Sequence, residues 1–116
     1  MTPWGEVLGA EGVDQVVAYV RQLSGQAADA TQATAGATHF QTFCMACHGM
    51  DGKGMAAVGA PNLTDEVWLY GGDAATIRET VVGGRMGQMP AFQDKLGEQR
   101  VRLLAAYVLR MSGGAQ

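Results

Sequence analysis

The sequence predicts an all-α fold on three observations. Apolar residues recur at three- and four-residue spacing in several stretches, no alternating run of β-branched residues suggests a strand, and long glycine-rich segments separate the helical stretches. The chain has 116 residues, enough for one domain of ordinary size. Its 47% apolar content overstates the core, because 18 residues are Ala and 17 more are Gly. Leu, Ile, Val and Phe together number 23, close to the lower limit for a self-sufficient core. A chain this poor in large side chains calls for a disulfide, a metal, a bulky cofactor or a partner.

From the N-terminus, residues 13–23 carry a stripe of Val13, Val16, Val17 and Val20. An offset of 88 residues lays Met1 on Met89 and gives nine identities in 25 ungapped positions, among them Leu8/Leu96, Gly9/Gly97, Tyr19/Tyr107 and Val20/Val108. Trp4 falls on Phe92. We read 1–25 as the tail of a similar upstream domain, 26–33 as a linker within the small, polar stretch 24–36, and 34–116 as a full copy. The orphan stripe is expected to pack on its own domain or on a second copy, so 13–23 offers a surface for self-association.

In the full copy, 34–47 reads as a helix through Ala37, Phe40, Cys44 and Cys47, and 49–63 as a loop closed by Pro61. Residues 65–70 suggest a helical turn. Asp73 is an expected N-cap for a helix ending at Val82 before Gly83 and Gly84. Residues 84–97 read as a loop and 98–111 as the clearest helix, with Val101, Leu104, Val108 and Met111 on one face and Gly113 just beyond its end.

Eight basic residues against 11 acidic give a net charge of −3, with no basic run, which argues against nucleic acid as a partner. No apolar stretch is long enough to span a membrane, and no membrane contact is expected of this segment itself. Residues 1–25 lack the basic start and apolar centre of a signal peptide.

Chemistry enters at Cys44-Met45-Ala46-Cys47-His48, a CxxCH pattern that uses both cysteines and one of the two histidines. This is the pattern of c-type haem attachment. Residues three and four apart share a helix face, so both thiols reach one porphyrin edge and His48 lies on the same side. Competing readings are weaker. A thioredoxin-like dithiol wants a βαβ setting, and zinc wants four ligands where only His39, Cys44, Cys47 and His48 are at hand. A Cys44–Cys47 disulfide closes too short a loop to staple a domain. The sixth iron position falls to Met89, in the Gly87–Pro90 loop between two helices, with Met86 as the lesser alternative. Met45, Met55 and Met111 read as core fillers and His39 as an ordinary helix residue.

Beyond the motif, FCMACHGMDGKG, GAPNLTDEVWLYGG, IRETVVGGRMGQMPAF and LLAAYVLRMSG resemble class I cytochrome c, and within it the second c-haem domain of the diheme subunit III of cbb3-type cytochrome c oxidases. The resemblance covers about residues 34–113, and 1–25 looks like the tail of that subunit's first haem domain. It implies a class I cytochrome c fold around one covalent haem c. Cys44 and Cys47 match the thioether cysteines, His48 the proximal ligand, Met89 the distal ligand, and Pro61 the proline whose carbonyl accepts the proximal imidazole N–H. Trp68 and Tyr70 match aromatic positions near the haem and its propionates, and Arg85 is placed to pair with a propionate. Met1 matches the axial methionine of the first domain, whose CxxCH and membrane anchor are missing here.

What the resemblance implies is electron transfer rather than catalysis by this chain. Electrons would pass from a donor cytochrome, with the upstream c-haem domain, toward the catalytic subunit of the oxidase on the periplasmic side of the bacterial inner membrane. The acidic balance leans toward a basic donor. Alternatives are a c-haem domain of another periplasmic oxidoreductase, or a haem sensor or peroxidase-like protein with a labile sixth ligand.

Overall fold

The computed structural model describes residues 1–113, so the last three residues of the expected 34–116 domain lie outside the described residues. Among the described residues six α-helices follow one another: α1 (Gly5–Leu23), α2 (Ala30–His39), α3 (Met45–His48), α4 (Ala74–Gly83), α5 (Gln93–Leu96) and α6 (Glu98–Met111). Among the described residues the extended contact is a single bridge, Met55 to Ala60. The fold is all-α, the class I cytochrome c arrangement of helices and glycine-rich loops. No helix of the described residues is long and apolar enough to cross a membrane.

The residues form two compact units, Met1–Met86 and Gly87–Gln116. This grouping departs from a boundary near residue 25. Helix α1 packs along α2 and against α4, and its valines build the core with Phe40, Ile77 and Val81. Each buried valine contributes roughly 1.5–3 kcal/mol. Of the two expected placements of the stripe Val13–Val20, the chain's own core is the one found: those side chains are buried in the first unit and are not left as a surface for self-association.

Close approach of α1 and α2 depends on Gly36. A Cβ there would collide with the Gln15 carbonyl, and Tyr19 Cβ lies 3.0 Å from the same point. The rim is polar: His39 Nε2 pairs with Gln15 Oε1 at 3.0 Å, and Arg78 Nε donates to Asp14 Oδ1 at 3.0 Å.

The linker is shorter than its composition suggests. Asp29 accepts from the Gln32 amide at 2.8 Å and caps α2, which starts at Ala30 rather than Thr34. The expected helix over 34–47 is interrupted by a π-helical turn, Phe40–Cys44, between α2 and α3. Asp73 caps α4, accepting from the Thr76 amide at 3.0 Å and its hydroxyl at 2.7 Å. Residues 65–70 form bends instead of a helical turn, tied by Asp65 accepting from the Val67 amide. The expected 84–97 loop contains the single turn α5 before α6, which runs over the expected residues.

Candidate functional site

The π-helical turn Phe40–Cys44 ends on Cys44 and hands the chain to α3, which presents Cys47 and His48. Gly49, at φ 81°, ends that turn. Both cysteines are free thiols; Cys44 is half-buried against the core and Cys47 is exposed. Burial, with Cys47 alongside, pushes the Cys44 thiol up to about 11, so the neutral form is favoured in the fold.

His48 is held from below. Its Nδ1 lies 3.1 Å from the carbonyl oxygen of Pro61. A carbonyl only accepts, so Nδ1 is the donor in this bond, and in the neutral ring Nε2 is the nitrogen left with a lone pair. Phe40 stands beside the imidazole, ring centroids 6.5 Å apart.

The loop that brings Pro61 to His48 is fastened by backbone bonds. The Gly54 amide donates to the His48 carbonyl at 2.8 Å, and the Leu63 amide to Gly52 at 2.7 Å. Gly54, at φ 88°, is required here: a Cβ would lie 2.5 Å from the Ala60 oxygen and 2.6 Å from the Pro61 carbonyl carbon. Sequence reasoning treated Gly54 as one loop glycine among many; its nearness to the Ala60-Pro61 pair appears only in three dimensions.

Trp68 packs against the core, with Gly72 tucked against its indole. Tyr70 is partly exposed, and the Arg85 guanidinium lies over its ring at 4.2 Å. Arg85 also donates to Thr80 Oγ1 at 3.0 Å and approaches Glu79 at 3.6 Å. Cys44, Cys47, His48, Pro61, Trp68, Tyr70 and Arg85 thus all belong to the first unit. Met89 belongs to the second, where it lines an open apolar cleft with Phe92, Leu96, Val101, Leu104 and Val108.

Two free thiols three residues apart, next to an imidazole locked in one tautomer, suit covalent haem better than zinc. Among the described residues no group of three or more His, Cys, Asp or Glu side chains gathers to hold a metal ion.

The family profile described as cytochrome c oxidase, cbb3-type, subunit III matches residues 31–108. This chain belongs to that family. The cbb3-type cytochrome c oxidase subunit CcoP of Cereibacter sphaeroides is 51% identical over 93% of this chain. The subunit CcoP of Rhodobacter capsulatus is 47% identical over 94% of it, and subunit FixP of Azorhizobium caulinodans 44% over 98%. The aligned parts cover 37%, 39% and 39% of those relatives, so the chain spans about two-fifths of their length. Membership of a subunit III family implies haem c, and the donor set of α3 and Pro61 fits that group.

Proposed function

We propose that this chain carries one haem c and relays electrons toward the catalytic subunit of a cbb3-type oxidase. Cys44 and Cys47 would hold the group by thioethers, with His48 and Met89 as its axial ligands. When bound, the haem supplies a one-electron iron couple. The chain's own residues do the rest. The Pro61 carbonyl fixes the His48 ring and strengthens Nε2 as a donor. Phe40 stands beside the His48 ring and, with the rest of the core, backs Cys44. Arg85, with Tyr70 beneath it, offers a positive charge for a propionate. The observation that carries this reading is the His48–Pro61 hydrogen bond, which engages Nδ1 of the CxxCH histidine and leaves Nε2 for a ligand role.

By the same reading the chain works on the periplasmic side of the bacterial inner membrane, beside the upstream c-haem domain, the oxidase catalytic subunits and a donor cytochrome. It acts as an electron-transfer part of the complex and does not itself reduce oxygen.

The intact mass of the denatured protein, expressed with haem-attachment machinery, tests the proposal. A gain of one haem is expected, lost in Cys44→Ala/Cys47→Ala. A bare polypeptide mass overturns it. On the same preparation, rapid CO binding to the reduced native protein would remove Met89 from the ligand set.

A further inference from the structure

Two turns built on side-chain oxygens meet in the loop that follows α3. On one arm, Asp51 Oδ1 accepts from the Lys53 amide at 3.0 Å. On the other, Asn62 Oδ1 accepts from the Thr64 amide at 2.8 Å and from the Thr64 hydroxyl at 2.6 Å. The middle residues of the two turns are joined, the Leu63 amide donating to the Gly52 carbonyl at 2.7 Å. Asp51 is exposed, whereas Asn62 and Thr64 are half-buried.

The second turn begins at the peptide unit that His48 uses. His48 Nδ1 donates to the Pro61 carbonyl at 3.1 Å, and the nitrogen of that same unit belongs to Asn62. Few freedoms are left to aim this carbonyl. The pyrrolidine ring of Pro61 fixes its φ, and the peptide unit is planar. What remains is rotation of the plane between Pro61 and Asn62. Gly54 lies against it: a Cβ there would be 2.6 Å from the Pro61 carbonyl carbon and 2.8 Å from the Asn62 nitrogen. Gly54 is itself tied to His48, its amide donating to the His48 carbonyl at 2.8 Å. That contact limits rotation of the plane toward Gly54 and not away from it. The Asn62–Thr64 turn limits the rest, because two hydrogen bonds to one oxygen fix the backbone of Asn62 and Leu63.

We propose that Asn62, with Thr64, is a positioning residue for His48: it aims the Pro61 carbonyl and so sets how firmly the Nδ1 proton is held. This role rests on the reading of His48 as an iron ligand. Both residues act through the Pro61 carbonyl. A firm bond at Nδ1 makes Nε2 a better donor, which favours ferric over ferrous iron. A mere brace of the loop would change stability alone; an aiming role changes the imidazole as well.

Haem-loaded chains of wild type, Asn62→Ala, Thr64→Val and Thr64→Ser test this, with loading checked by intact mass. Two quantities are read: hydrogen exchange of the His48 Nδ1 proton, by NMR of the reduced protein, and the midpoint potential. Asn62→Ala removes both bonds and should speed that exchange about tenfold. It should also shift the iron equilibrium about threefold toward the ferrous form, a rise of about 30 mV at about 59 mV per tenfold. Thr64→Val removes the hydroxyl bond alone and should speed exchange about threefold. Thr64→Ser keeps both bonds and should match wild type. An Asn62→Ala chain that melts lower but keeps the wild-type proton exchange and potential overturns the proposal. Equal behaviour of Thr64→Val and Thr64→Ser also overturns it, and that pair decides if Asn62→Ala fails to fold. A bare polypeptide mass defeats the haem reading and this role with it, whereas a loaded chain with an unmoved His48 proton defeats this role alone.

Discussion

Helices α1 and α6 carry the same pattern and end in the same way, yet they are used differently. Val16 and Val20 are 1% and 5% exposed, whereas their counterparts Leu104 and Val108 are half or more exposed. Periodicity therefore specifies that a helix has an apolar face, but not whether that face is covered. What covers α1 is particular: the gap at Gly36, the floor at Phe40, and one ion pair at the rim.

The comparison breaks most severely at the floor of the groove. Phe40 is almost fully buried beneath Tyr19, ring centroids 5.2 Å apart, so Phe40→Ala should cost about 3–5 kcal/mol in denaturant unfolding. Gly36→Ala comes next. The added methyl meets the backbone of Gln15, which cannot swing aside, and roughly 2–3 kcal/mol should be lost despite Ala's better helix propensity. A matched pair then sharpens the contrast. Val20→Ala should lower stability by about 2 kcal/mol, while Val108→Ala, at the corresponding position of α6, should stay within about 0.5 kcal/mol.

The smallest effect belongs to the Asp73 cap. Hydrogen bonds from the Thr76 hydroxyl and amide hold its carboxyl below its ordinary value. That contribution is present above the unfolded carboxylate pKa and fades as pH falls through the lowered folded one. Asp73→Ala should lower Tm modestly at neutral pH, and the difference from wild type should vanish in acid, as thermal melts across that range would show.

Much of this was legible in the chain. Asp73 as a cap, α6 over 98–111 and the repeat were all written in local patterns. So was the CxxCH turn, because the spacing of its two cysteines is a property of four consecutive residues. The start of α2 was not, since the small polar residues around Asp29 resemble a linker until the cap is seen. The docking of α1 into the first unit was only half legible: its valine stripe called for a partner, but Gly36, which admits it, looks like any linker glycine. Gly54 escaped notice for a similar reason, because its necessity depends on Pro61 seven residues later.

The π-helical turn at Phe40–Cys44 has a geometric consequence of its own. It inserts an extra residue between the part of the chain that faces α1, through Ala33, Gly36 and Phe40, and the part that bears Cys44, Cys47 and His48. An α-helix advances about 100° per residue. Removing one residue from this turn would leave both halves helical yet rotate the thiols and imidazole by that angle relative to the groove. The turn therefore works as a phase adjuster, letting one stretch of chain satisfy two faces whose demands no straight helix meets at once.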